Sequence, residues 1–101
     1  MYAVIRRYNV FEGKQQTVAQ KANEGFLPLL SRVQGLVSYY LLDVGDGTMA
    51  SIGVFESKDG AEESNRVAAD WVRQNLSHLV KSAPVIVSGE VVAQVGQPAL
   101  R

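Results

Sequence analysis

At 101 residues, with Lys plus Arg equal to Asp plus Glu at 10 each and 47% hydrophobic residues, the chain has the size and balance of one globular domain, not of a disordered or fibrous segment. Its charges are scattered, so it lacks the basic stripe that nucleic-acid binding needs, and no stretch approaches the roughly 18–20 apolar residues of a membrane span. With no cysteine and one histidine, His78, it has no disulfide framework, no thiolate nucleophile and no multi-histidine metal centre within one chain.

Tyr2 to Asn9 (YAVIRRYN) is a β-rich run. Its short apolar stretch is followed, not preceded, by Arg6-Arg7, which does not fit a signal peptide; a cytoplasmic location is expected. Phe11 to Val33 switches to helical spacing, with Val18, Ala22, Phe26, Leu29, Leu30 and Val33 on one stripe. Pro28 cannot donate to the carbonyl of Glu24, so a kink or break is expected near Gly25, and Gly35 stands where a helix-stopping glycine belongs. Leu36 to Asp43 and Thr48 to Glu56 return to strand composition, joined through Val44-Gly45-Asp46-Gly47 as a hairpin. Ser57 is suited to cap a second helix whose apolar face is Ala61, Ala68, Trp71, Val72, Leu76 and Leu79, ending near Val80. Val85 to Val95 is the last strand. Residues 1–95 form the expected domain, and 96–101 a short tail with little to hold it.

The order strand, helix, strand, strand, helix, strand predicts an α+β, ferredoxin-like βαββαβ fold: a four-stranded antiparallel sheet with two helices on one face. Alternation along the third strand separates Ala50, Ile52 and Val54 from Met49, Ser51, Gly53 and Phe55; on the last it separates Val85, Val87, Gly89 and Val91 from Ile86, Ser88, Glu90 and Val92. The purely aliphatic sets are expected beneath the helices. The mixed sets are still too apolar for water, and a second copy of the chain is the expected cover. With Phe55, Ile86 and Val92 that front face would carry Leu42, one of Tyr39 or Tyr40, and the polar groups Arg6, Tyr8, Ser38, Tyr40, Ser51, Ser88 and Glu90. An Arg6–Glu90 ion pair is expected among them. The candidate ligand-binding residues are Arg6, Tyr8, Tyr40, Trp71, Ser88 and Glu90; no catalytic residue is assigned, and no metal or cofactor is expected.

The segments YAVIRRYNV, GFLPLLSRVQGLVSYYLLD, VFESKDGAEESNR and PVIVSGEVV resemble the dimeric α+β barrel superfamily, and especially its antibiotic biosynthesis monooxygenase-like domains, from Tyr2 to Val95. The resemblance implies a homodimer whose sheets pack into a barrel, with a pocket between sheet and helices in each subunit. It implies, as one activity, cofactor-independent oxidation of an aromatic or phenolic compound, for which members use Asn, Trp, Tyr and Arg; Asn9, Trp71, Tyr8 and Arg6 supply those types. Haem-degrading members use an Asn late in the first strand and a Trp and a His on the second helix. Asn9 matches in kind, and Trp71 and His78 stand two turns apart, but the family's Trp lies nearer the helix start, at Ser64 or Asn65. A non-catalytic assembly protein of the same fold is the alternative from a different class. Taken singly, His78 reads as a partly exposed residue near a helix C-terminus, Trp71 as a core or interface anchor, and Asn65 and Arg66 as solvated groups.

Overall fold

In the computed structural model, which describes residues 1–96, β1 (Tyr2–Asn9) runs down the interior of a sheet ordered β2-β3-β1-β4, with β2 (Leu36–Gly45), β3 (Thr48–Phe55) and β4 (Val85–Glu90). Every pairing is antiparallel. The β2–β3 hairpin closes on Asp46-Gly47, both at positive φ (54° and 75°), as a two-residue turn of this hand requires. No helix among the described residues is long and apolar enough to cross a membrane.

The helical segment after β1 is a chain of short pieces: α1 (Gln15–Lys21), a π-helical turn over Ala22–Phe26, and α2 (Leu27–Leu30). The interruption expected near Gly25 is thus a π turn, with Pro28 in the first turn of α2, where its missing N–H goes unused. The second helix, α3 (Lys58–Asn75), is capped by the Ser57 hydroxyl, which accepts from Gly60 N at 3.4 Å. It ends at Asn75, five residues before Val80. The turn that follows is claimed by β1 instead: Phe11 N donates to the Leu79 carbonyl, Lys81 N to the Asn9 carbonyl, and Val80 bridges Val10. β4 likewise stops at Glu90 and not at Val95. Its partner strand runs out there, and the last backbone bond goes from Val91 N to the Met1 carbonyl. The tail beyond residue 96 lies outside the described residues.

The largest correction concerns which face of the sheet the helices cover. Directly paired residues share a face, so the register gives three cross-sheet rows beneath the helices: Ile86–Arg6–Ser51–Leu41, Ser88–Val4–Gly53–Tyr39 and Glu90–Tyr2–Phe55–Leu36. Phe55, Met49, Val4 and Ser51 are all but fully buried there. The aliphatic sets lie on the open face, in the rows Val87–Ile5–Ile52–Tyr40 and Gly89–Ala3–Val54–Ser38. The reason is space. The helix layer brings Phe26, Trp71 and Leu30 down onto the sheet, and Gly53 leaves room on it for the rings of Phe55 and Tyr39, whereas a continuous β-branched row would hold the layers apart. From above, α3 presents Gly60, Ala61, Ser64 and Ala68, all buried, so helix and sheet approach closely.

Gly60 marks the tightest of these approaches, since a Cβ there would stand 2.7 Å from the backbone carbonyl oxygen of Gln34. The Gly60→Ala variant is therefore expected to lose about 1–3 kcal/mol of stability although alanine favours helix, a loss that chemical denaturation would measure. An unchanged or raised midpoint would contradict this packing.

Candidate functional site

Between the sheet and the helices lies a cavity of about 30 Å³, room for about two water molecules. Its walls are mostly aliphatic, with Val10, Val18, Leu41, Met49 and Leu76 among them. Four aromatic side chains complete it: Tyr8 from β1, Tyr39 from β2, Phe26 from the π turn and Trp71 from α3. Phe26 stands edge-on to Tyr39 at 5.7 Å between centroids and tilted against Trp71 at 5.5 Å. The indole rests on Gly25, where a Cβ would come within 3.0 Å of Nε1. On the outer side of the same ring is a surface cleft of about 220 Å³ lined by Lys21, Glu24, Gly25, Trp71 and Asn75. Trp71 thus forms a wall common to the inner cavity and the outer cleft.

On the same sheet face, in the row between those of Tyr8 and Tyr39, sits Arg6, a charged residue only 4% exposed. Its Nη2 donates to the Asn65 side-chain oxygen across the gap to α3. Burial pulls the Arg6 guanidinium below its ordinary range, with Tyr8 and Tyr39 opposing that shift. Burial also raises both phenols: Tyr8 against the pull of Arg6, and Tyr39 against Ser51 and Arg6. At neutral pH the two tyrosines are therefore neutral donors and the guanidinium is charged.

Of the six residues singled out from sequence, the fold brings Arg6, Tyr8 and Trp71 together on the helix side. Tyr40 lies on the opposite face, 59% exposed. Ser88 and Glu90 are on the helix side, but on the edge strand and exposed, and Glu90 pairs with the Met1 amino group at 3.4 Å. The expected Arg6–Glu90 pair does not form: Glu90 faces Tyr2, with the Val4–Ser88 pair between it and Arg6, and α3 offers Arg6 an amide from above. Sequence reasoning missed Tyr39, Phe26 and Asn65. The register shift between Leu36 and Ser38 is what turns Tyr39 inward and Tyr40 outward. Asn65, expected to be solvated, is bonded to Arg6, whereas Arg66 does lie in an exposed ladder with Glu63 and Asp70.

The residues expected of a haem site do not converge. Asn9 and His78 are exposed while Trp71 is buried, and His78 lies beyond the end of α3, so the two-turn helical spacing is not realised. Among the described residues no group of three or more His, Cys, Asp or Glu is placed to hold a metal ion.

The phenol shifts fix a pH response. A tyrosine whose folded value is raised stabilises the fold fully below its unfolded value of about 10, and that contribution is lost as pH climbs through the folded value. In an absorbance titration Tyr8 and Tyr39 are expected to ionise above the ordinary tyrosine range, as a late component that the Tyr8→Phe/Tyr39→Phe variant lacks. A late component that persists in the double variant would contradict it.

No family model matches the chain, and no curated protein matches it. Solved structures do. A protein of unknown function from Nitrosomonas europaea superposes with a TM-score of 0.79 at 22% identity, over 95% of this chain and 93% of that one. A monooxygenase of Streptomyces coelicolor, in complex with nanaomycin D, gives 0.76 at 17%, over 95% and 91%. A dimeric ferredoxin-like protein from an uncultured marine organism gives 0.70 at 14%, over 95% and 97%. Likeness at such identities speaks for architecture, and with the observed sheet order it shows that the chain has a ferredoxin-like α+β fold.

Proposed function

We propose that the chain is a homodimeric small-molecule-binding domain whose helix-side cavity takes a small aromatic compound, with cofactor-independent oxidation of a phenol as the chemistry that suits it best. The observation that carries this reading is the cavity lining, in which two neutral phenols and an indole meet in an otherwise hydrocarbon wall. In such a reaction dioxygen is the oxidant and the substrate supplies the electrons: one oxygen atom enters the ring as the phenol becomes a quinone, and the other leaves as water. The protein need supply only orientation, a dry site and proton donors, which Tyr8 and Tyr39 are suited to be. The Streptomyces coelicolor protein, with its bound nanaomycin D, supports the reading by its fold.

An aromatic ring does not fit into about 30 Å³, so binding requires the cavity to widen. The π turn over Trp71 is the suited place: its widened hydrogen bonding makes it the least regular part of the helix layer, and the outer cleft lies just across the indole. The same small volume favours a second reading, a non-catalytic assembly domain in which the buried polar groups only satisfy one another. Thermal denaturation against a panel of phenols and quinones separates the two. A ligand of the folded state at about 100 times its Kd is expected to add about 2.7 kcal/mol. If no member of the panel raises the melting temperature, the aromatic-ligand reading fails.

Dimerisation is proposed on the open face, where the row Val87–Ile5–Ile52–Tyr40 leaves apolar side chains in water, Val87 62% exposed. The dimeric ferredoxin-like neighbour supports it. The protein is expected to sediment at twice its 11.0 kDa, and Ile52→Asp, at the centre of that row, to shift it to the monomer. A stable monomer of the unmodified chain at micromolar concentration would refute the dimer.

A further inference from the structure

We propose that the Trp71 indole is the door of the helix-side cavity, and that Gly25, the residue it closes against, controls what can pass. The indole swings out over Gly25 into the surface cleft and stays there while an aromatic ring occupies the space it left. The inference rests on the aromatic-ligand reading above and adds the way in and the residue that governs it. Its ground is the position of one ring. Trp71 is the residue that lines both the inner cavity of about 30 Å³ and the outer cleft of about 220 Å³. With the indole in place the two spaces are separate, and the inner one holds water-sized guests only. With the indole turned outward they become one.

Little holds the indole shut. The Trp71 backbone is fixed near the end of α3, where its carbonyl accepts from Asn75 Nδ2 at 2.9 Å, so the motion belongs to the side chain. The indole N–H donates to no protein group among the described residues, yet no buried side-chain polar atom there lacks a partner. This edge of the ring is therefore the one that water reaches, from the outer cleft, and turning it outward breaks no hydrogen bond within the protein. The ring leans on a single turn: Phe26, tilted against it at 5.5 Å, and Gly25 both belong to the π-helical stretch Ala22–Phe26. There the Leu27 N–H reaches back five residues to the Ala22 carbonyl, a wider ring of bonding than that of an α-helix. Proline apart, glycine is the least favourable residue in a helix, so Gly25 both loosens this turn and leaves bare the surface the indole crosses. A Cβ at residue 25 would stand 3.0 Å from Nε1 and 3.3 Å from Cζ2. Alanine there firms the turn and narrows the path at once.

The experiment uses the full chain, with naphthoquinone and naphthol as probes and Trp71, the one tryptophan of the sequence, as reporter. Stopped-flow change of its emission gives association and dissociation rates. Fluorotryptophan incorporated in its place gives a single fluorine resonance, whose shift between light and heavy water measures how far water reaches the indole. Binding to the wild type is expected to raise that solvent shift, because the indole goes out as the ring comes in. Gly25→Ala is expected to slow association about fivefold or more, by lowering the fraction of open protein, and to leave dissociation nearly unchanged. A glycine that only makes room for the indole would instead give a lower melting temperature with an unchanged association rate, and that result overturns the proposal. A solvent shift that holds or falls when the wild type binds a probe overturns it as well. Both of these results leave the aromatic-ligand reading standing, whereas probes that change neither the emission nor the melting temperature overturn the two together. Should Gly25→Ala fail to fold, the wild-type solvent shift decides alone.

Discussion

The aromatic wedge of Phe26, Tyr39 and Trp71 sets the distance between the helix layer and the sheet, and much else follows from it. Phe26 stands 5.7 Å from Tyr39 and 5.5 Å from Trp71, and such large rings need room, which Gly53 leaves beside Tyr39 and Gly25 beside Trp71, while the Gly60-Ala61-Ser64-Ala68 stripe lets α3 approach the sheet closely. Aromatic groups of this size bring the most apolar area per residue to a small domain's core, so their accommodation dominates its packing. The irregular geometry of the wedge also leaves the unfilled space beside Met49 and Leu41.

That constraint assigns the two faces of the sheet. Beneath the helices go the residues of mixed size and polarity, because only they leave room for rings. The uniform aliphatic rows go to the front, where Ile5 and Val87 stand exposed beside Ile52. The domain therefore has an uneven core behind and a smooth apolar plane before it. The first is suited to holding a ligand, the second to association with a copy of itself.

Polar groups on the helix side have a consequence for stability. Arg6, Tyr8 and Tyr39 all lie where hydrocarbon side chains would fold at less cost, and burial shifts all three toward their neutral forms. Proteins commonly accept such a cost at functional sites, where groups are arranged for a molecule that the empty fold does not contain. The assembly alternative has to explain the same three residues as mutual satisfaction, and the Arg6–Asn65 bond is the part of the arrangement that serves it best.

Element order, the hairpin at Asp46-Gly47, the break near Gly25, the Ser57 cap and the ferredoxin-like fold were legible in the chain, because each rests on local rules: turn chemistry, proline's missing donor, a side-chain cap, the period of the apolar residues. So was the presence of apolar side chains on both sides of the sheet, since strict alternation follows from strand geometry alone. Which side meets the helices was not, because alternation defines two sets and no sign; the sign came from the sizes of rings contributed by distant segments. The inward turn of Tyr39 hung on a register shift after Leu36, the end of α3 on competition from β1 for the turn at Leu79, and the partner of Arg6 on a helix some 59 residues away in sequence. These are long-range steric and hydrogen-bonding choices, and only the packed tertiary structure makes them.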